Sequence, residues 1–445
     1  MSEFILNKGN LERTNEKPDY TLKHSSDLLS HVTNLIPLVS GVSGNRVLLG
    51  DKSFLQAITL PGRETPWVSS TSSTDNPGFN HEYSHLVSVK APHSGEVTHV
   101  KADKITLTNN GKSTDVHLFS NYTSGKKNFI DQNPVVKVGD KINKGDLLAT
   151  SNFSDKHGDL AVGVNLNTAI MPYRGHNFED GYVITQSGAD KLKGQQIISF
   201  TMEKIMGIET NKSRFVSLFP NKFTNSQLAN IDEDGIAKKG TVLHHGDPVI
   251  LACSPKSLKS TDIQLGKLTK VLKNAFNDQS ETWHYSSAGT VVDVAKAGKI
   301  ITVNVKADRN MSVGDKLSSA FGIKGVCTKI LSDAETPHDS SGKPIDIFLN
   351  SMSITSRVSP ALVSVLATGK VAQHLGKPIE LPAFAKTSVV QEAKDLLAKH
   401  GISESDEIDD PVTGKKVKVT VGPLYYSRLG HIGEDKLTER GEGAG

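Results

Sequence analysis

MSVGDKLSSAFGIKGVCTKI opens at Met311 and DIFLNSMSITSR closes at Arg357, and the reading of this 311–357 stretch decides the fold. It sets Lys316 and Lys324 among Gly314, Gly322 and Gly325. Glycine lets a backbone come close to a charged ligand. Lysine offers phosphate a movable point charge, and arginine offers a planar fork. The pattern predicts an open, glycine-held loop, followed by a buried strand that leads to Arg357. Such a loop suits a phosphate-rich substrate better than an apolar one. Gly-Asp-Lys and Gly-x-Lys-Gly also occur as plain surface turns, and for an isolated copy that reading stands beside the functional one.

Working outward, the whole chain has 445 residues, 36% hydrophobic and 22% charged, with a net charge of +3. That is the composition of a globular chain of about three domains. The balance does not argue for nucleic acid as a whole, although a local basic surface is compatible with it. Cys253 and Cys327 are the only cysteines. They exclude a disulfide framework and a cysteine zinc site built from this chain, and they fit a reducing cytoplasm. No apolar run reaches the length of a membrane span. The start, MSEFILNKGNLERTNEKPDY, lacks a secretory apolar core and reads as a polar arm without fixed structure.

DLLSHVTNLIPLV, residues 27–39, has helical spacing broken at Pro37. Arg46 follows at the break before an apolar run, where a helix-end charge is its ordinary role. Four histidines, His81, His85, His93 and His99, fall on loop and strand positions without the i, i+4 spacing of a helical metal site. Residues 86–150 alternate at period two and predict strands. The clause VKVGDKINKGDLLA returns as HHGDPVILACSP at 244–255 and as SVGDKL at 312–317. SGEVTHV at 94–100 is echoed by AGTVVDV at 288–294. These loose repeats predict small β-barrel or barrel-sandwich modules.

VNLNTAIMPY and YVIT read as strands around the turn Arg174-Gly175-His176-Asn177. Glu179 and Asp180 sit at the second strand's entrance, either as a solvated turn or as a carboxylate pair facing a magnesium-bound nucleotide. LGKLTKVLKNAF, 265–276, reads as an amphipathic helix, either core or a docking element. SPALVSVLATGKVAQHL and TSVVQEAKDLLAKHG read as helices, the second capped at Gly401. ISESDEIDDP reads as a solvated acidic linker. Lys415, Lys416 and Lys418 are read as preceding a strand, with His431, Lys436 and Arg440 after it. With Tyr425 and Tyr426 between, these basic groups would suit a nucleic-acid backbone or a charged surface strand.

In order and spacing these blocks resemble the second-largest (β) subunit of multisubunit DNA-dependent RNA polymerases, from about residue 30 to about 441. The blocks are NLIPLVSGVSGNRVLLGDKSFLQAITLP, PVVKVGDKINKGDLLA, GDLAVGVNLNTAIMPYRGHNFEDGYVIT, DEDGIAKKGTVLHHGDPVILACSP, LTKVLKNAF, VGDKLSSAFGIKGVCTKI, PIDIFLNSMSITSRVS and VTVGPLYYSRLGHIGEDKLTER. The resemblance implies that Lys316 and Lys324 hold the RNA 3′ end and the α-phosphate of the incoming nucleotide. Arg46 and Arg357 would grip its triphosphate. Glu179 and Asp180 would face the second Mg2+, through water, and His431 and Lys436 would line the hybrid channel. Positioning and charge neutralisation are the demands of phosphodiester formation. The metal-binding aspartates of the family lie on the largest (β′) subunit, and no Asp-x-Asp-x-Asp occurs here, so this chain would be inactive alone.

The implied fold is mixed, β-rich α+β and multidomain. A discontinuous, double-psi-barrel-like core would carry a barrel-sandwich insertion and a flap. The expected division is an N-terminal arm (1–30), core segments at 31–65, 161–190 and 291–372, a barrel-like insertion (66–160) and a flap-like domain (191–290). A helical segment with an acidic linker (373–412) and a hybrid-channel segment (413–445) would complete it. Ser319-Ala320-Phe321-Gly322 replaces the family's Arg-His-Gly region, and Phe54-Leu55-Gln56 replaces a Gln-Arg-Gln run. The missing N-terminal half implies a split, divergent polymerase of the large-bacteriophage kind, or an excised fragment. Implied partners are the N-terminal β fragment, β′-like chains, a σ-like promoter-recognition subunit, the DNA template, RNA and nucleoside triphosphates, with no membrane. The implied location is the cytoplasm, the host's if viral, with virion packaging also compatible. Two other readings are a scaffold without catalysis and a lipoyl-like binding module. The lipoyl reading rests on GDKINKGDLLA, and no Met-Lys carrier hairpin accompanies it.

Overall fold

The computed structural model describes residues 3–15, 17–124, 128–205, 207–256, 276–384 and 388–437. Its centre is a sheet of seven strands. In chain order they are β1 (Val164–Ile170), β2 (Gly181–Thr185), β3 (Lys316–Ser319), β4 (Lys324–Leu331), β5 (Ile347–Leu349), β6 (Asp406–Asp410) and β7 (Lys415–Arg428). The spatial order is β1–β5–β2–β4–β3–β7–β6, and β1 also pairs with β7. Six strands therefore close into a ring, with β6 paired to the first part of β7. Two of the pairings in the ring, β1–β5 and β2–β4, are parallel. Strands β1 and β2 are buried along nearly their whole length; β2 reads as an apolar run, as a strand covered on both faces does, whereas β1 carries buried Asn165, Asn167 and Thr168, each hydrogen-bonded. Tyr182 and Tyr426 meet edge to face within this core, 5.9 Å apart.

Three helices lie around the ring: α1 (Gly44–Leu55), α2 (Pro360–Leu375) and α3 (Val389–Lys399). Pro360 opens α2 and left-handed Gly376 caps it. Small residues let α2 approach β7: a Cβ on Gly369 would stand 2.7 Å from Pro423. Helix α3 packs on α2 through Ala367, Val371, Ala393 and Leu397. Two insertions have cores of their own. One is built on Gly95–Val100, Lys104–Asn109 and Lys112–His117, around Val97, Ile105 and Leu107. The other is built on Gly194–Glu203, Gly289–Ala297 and Ile300–Arg309, around Trp283, Val303 and Val305.

The repeated clauses share one turn. In each, the aspartate carboxylate accepts the backbone N–H three residues earlier: Asp140 from Lys137 (2.7 Å), Asp146 from Asn143 (2.8 Å), Asp247 from His244 (2.8 Å) and Asp315 from Ser312 (2.9 Å). The preceding glycine adopts positive φ in all four, a region open to glycine. Its N–H reaches across to the neighbouring chain, from Gly139 to Val97 and from Gly314 to Cys327.

Several expectations are corrected. The arm begins with a hairpin of Glu3–Asn7 and Asn10–Thr14. Residues 27–39 form no continuous helix, only the short turns Ser25–Leu28, His31–Asn34 and Val39–Gly41. The run after Gly44 is helix α1. The lysine loop is a hairpin, β3–β4. The acidic linker contains strand β6, with Ile408 buried against the ring; its alternating pattern was masked by its charges. The amphipathic helix expected at 265–276 falls almost wholly outside the described residues, which resume at Phe276.

Asp315 and Arg428 are fully buried and paired at 2.7 Å. Asp315 also accepts the Gly433 N–H (2.8 Å), and Arg428 donates to the carbonyls of Leu192 (3.0 Å) and Asn310 (2.9 Å). Replacing Arg428 with Ala strands a buried carboxylate, so stability should fall by about 3–5 kcal/mol. Faster amide hydrogen exchange across Lys316–Leu331 and Lys415–Arg428 would report the loss.

Candidate functional site

The β3–β4 hairpin organises the site. Lys316 pairs with Val326 and Ser318 with Lys324 in antiparallel register. Side chains two apart on a strand share a face, and directly opposed residues share it too. Lys316 and Lys324 are therefore diagonal neighbours on one face. Gly325 and Cys327 point to the other side, which is buried. Among the described residues neither lysine has an ion-pair partner.

The acidic turn is docked onto this hairpin. The Asp180 carbonyl accepts the Val326 N–H at 2.8 Å. A Cβ at position 325 would stand 2.4 Å from that oxygen, so glycine is required there. Asn177 is fully buried and pins the turn. Its side chain accepts the Tyr173 N–H (2.7 Å) and donates to the Met171 carbonyl (2.9 Å). Glu179 takes a positive φ of 49°, a strained choice for a residue with a Cβ. Ser353 Oγ donates to its carbonyl at 3.2 Å.

Arg357 is ion-paired to Asp180 and donates from Nη1 to the Ser353 carbonyl at 3.3 Å. Arg46 lies in the first turn of α1, not before a strand, where the helix dipole disfavours a cation. Its Nη1 donates to the Gly322 carbonyl at 3.3 Å. Gly322 is left-handed, and a Cβ there would stand 2.3 Å from the Arg46 carbonyl, so α1 is seated on the hairpin turn itself. His431 is tied to the hairpin's other end: its carbonyl accepts the Lys316 N–H at 3.2 Å. It also lines a cavity of about 600 Å³ with Gln56, Asn128 and Phe119. Lys436 is exposed and stands off the hairpin in a turn, Glu434–Lys436, anchored by Arg309 to Glu434 (3.0 Å) and Asp435 (2.8 Å).

The structure thus gathers Lys316, Lys324, Arg46, Arg357, Glu179, Asp180 and His431 around one hairpin. It does not support the tyrosines as a binding surface. Tyr426 is fully buried, and the Tyr425 hydroxyl bonds to the chain at Val162, Gly163 and Glu64. Lys416 lies against Glu407 and Asp409 across the β6–β7 hairpin, as a charged surface strand. Lys415 and Lys418 lie within β7 rather than before it, and Arg440 is outside the described residues. Sequence reasoning missed the supports Ser353, Asp315 and Arg428. Only Asp315 carried a signal, as the third Gly-Asp clause.

Residues 90–445 match the family described as RNA polymerase Rpb2, domain 6. The chain belongs to that family. Curated relatives share it at low identity. The DNA-directed RNA polymerase subunit beta of Mycoplasmopsis synoviae is 29% identical over 96% of this chain and 36% of its own length. That of Mycoplasmopsis pulmonis is 28% identical over 99% of this chain and 38% of its own, and that of Streptococcus sanguinis 27% over 98% and 38%. The chain spans little more than a third of these β subunits. No helix among the described residues is long and apolar enough to cross a membrane.

The geometry of this Rpb2 domain 6 member can be tested at Asn177, Glu179 and Cys327. Asn177→Ala should lower stability by about 1–3 kcal/mol through stranded buried backbone groups. Glu179→Gly should leave stability unchanged or raise it by up to about 1 kcal/mol, because the left-handed strain goes. Thermal unfolding of the two variants reads the contrast. Burial pushes the Cys327 thiol up to about 12. An unfolded thiol ionises near about 8.5, so the stability this burial contributes is intact below that pH and is lost as pH rises toward 12. Iodoacetamide should not modify Cys327 at pH 8 until denaturant is added.

Proposed function

We propose that this chain is the active-centre portion of a β subunit in a DNA-directed RNA polymerase. It would bind the incoming nucleoside triphosphate and the RNA 3′ end, and contact the RNA–DNA hybrid. The observation that carries this reading is that Arg46 and Arg357, from two other segments, are brought to the hairpin that carries Lys316 and Lys324, Arg46 through Gly322 and Arg357 through Asp180. Lys316 and Lys324 would hold the RNA 3′ end and the α-phosphate, and Arg46 and Arg357 the rest of the triphosphate. Charge neutralisation at the phosphates is the catalytic contribution. His431 and Lys436 would contact the hybrid through its backbone, independent of sequence.

Among the described residues no three His, Cys, Asp or Glu side chains gather as a metal cage. Glu179 and Asp180 fit a water-mediated place beside Mg2+, whose chemistry would be to neutralise phosphate charge. The direct aspartate ligands would come from a β′-like partner, so this chain would not polymerise alone. The six-strand ring with its mixed parallel and antiparallel pairings supports the double-psi-barrel-like reading of the core. A σ-like factor would dock on the flap-like insertion. Two buried free cysteines fit a cytoplasmic setting.

The test is a pull-down of the tagged chain from its native source, then extension on a primed DNA–RNA scaffold. Co-purification with a chain bearing the aspartate triad, with extension, is expected. Lys316→Ala with Lys324→Ala should cut elongation by at least about 100-fold, the scale of losing preorganised charge stabilisation, while assembly persists. Elongation at the unaltered rate in that double variant would leave only a scaffold.

A further inference from the structure

The guanidinium assigned above to the triphosphate is already occupied. Arg357 is ion-paired to Asp180, the neighbour of Glu179 in the acidic turn. The two partners are held unequally. The Arg357 side chain is only 15% exposed, and Ser353 accepts a hydrogen bond from it. The backbone at Arg357 is also fixed, since the Ser43 hydroxyl donates to its carbonyl at 3.5 Å. The Asp180 side chain is 59% exposed. Its backbone is anchored to Val326, but that anchor uses the carbonyl and leaves the carboxylate free to rotate. The cation is stationary and the anion is movable.

We propose that Asp180 is an intramolecular placeholder for the triphosphate. This rests on the nucleotide-binding reading above. With the site empty, its carboxylate neutralises Arg357 and keeps the fork in a binding geometry. When nucleotide enters, phosphate oxygens replace the carboxylate at the guanidinium, and the released Asp180 turns toward the ion that travels with the nucleotide. Phosphate is a strong, bidentate partner for arginine. The exchange needs a differential attraction. Arg46 and Lys324 supply it, because among the described residues neither is ion-paired. A carboxylate engages one cation, whereas a triphosphate engages all three.

The exchange predicts that removing the placeholder's charge strengthens anion binding and that the gain passes through Arg357 alone. The probe is inorganic tripolyphosphate with EDTA, titrated calorimetrically into the assembled complex on a primed scaffold. Asp180→Asn should tighten binding about two- to fivefold, within the range for displacing a partly exposed ion pair. Arg357→Ala should weaken binding, and Asp180→Asn should have no further effect in that background. If Asp180→Asn tightens binding equally without Arg357, a diffuse charge effect replaces the placeholder. If it changes nothing while Arg357→Ala still weakens binding, the exchange is wrong and the nucleotide site stands. If Arg357→Ala leaves binding unchanged, the exchange and the nucleotide-site reading fall together.

Discussion

The buried Asp315–Arg428 pair is the constraint on which the site depends. Asp315 belongs to the turn that launches Lys316, and Arg428 ends the longest strand of the ring. Through Gly433 the same carboxylate also fixes the segment that carries His431 and Lys436. One ionic contact therefore ties the turn before β3 to the end of β7 and to the segment just beyond it, across more than a hundred residues of sequence. A buried ion pair is a poor source of net stability, since desolvation offsets much of its attraction. Its value here is in placement: the Asp315 carboxylate gathers the Arg428 guanidinium and the Ser312 and Gly433 N–H groups at one point.

The glycines act in the same direction. Gly322 and Gly325 are where α1 and the acidic turn come close to the hairpin backbone. A methyl group at either position would push away Arg46 or Asp180. The hairpin can therefore hold two segments distant from it in sequence at distances that ordinary side chains forbid. Conformational freedom matters less at Gly325, where close approach alone demands glycine, than at Gly322, where both demands coincide.

Local pattern made much of this legible. The Gly-Asp clauses were visible as repeats, and they fold as repeats because a short carboxylate closing on the backbone three residues earlier is a local device. Strands β1 and β2 and the helices α2 and α3 are equally plain. What failed was set by distant contacts. The lysine segment reads as a loop because the partners that flank its hairpin, β7 beside β3 and β2 beside β4, lie about a hundred residues or more away. Strand β6 is hidden by its acids, and only Ile408 faces the core. Tyr425 and Tyr426 look like a stacking surface beside lysines, yet the ring closes over them. Arg46 reads as a charge at a break because nothing local shows that the apolar run beyond it is a helix.

The site is also electrostatically costly. Lys316, Lys324, Arg46 and Arg357 gather against two carboxylates, and only Arg357 has a carboxylate partner among the described residues. Such crowding opposes folding unless something offsets it. Packing supplies part of the offset, since the hairpin's other face is buried with Leu317 and Cys327. A strained Glu179 and a cation at the positive end of α1 add to the cost. Both choices break local preferences, although positive φ at a non-glycine residue also occurs elsewhere, at Leu38 and Val358 for example. Departures of this kind cluster where function, not stability, has set the residue. Two of them, left-handed Glu179 and Arg46 in the first turn of α1, border the hairpin that carries Lys316 and Lys324.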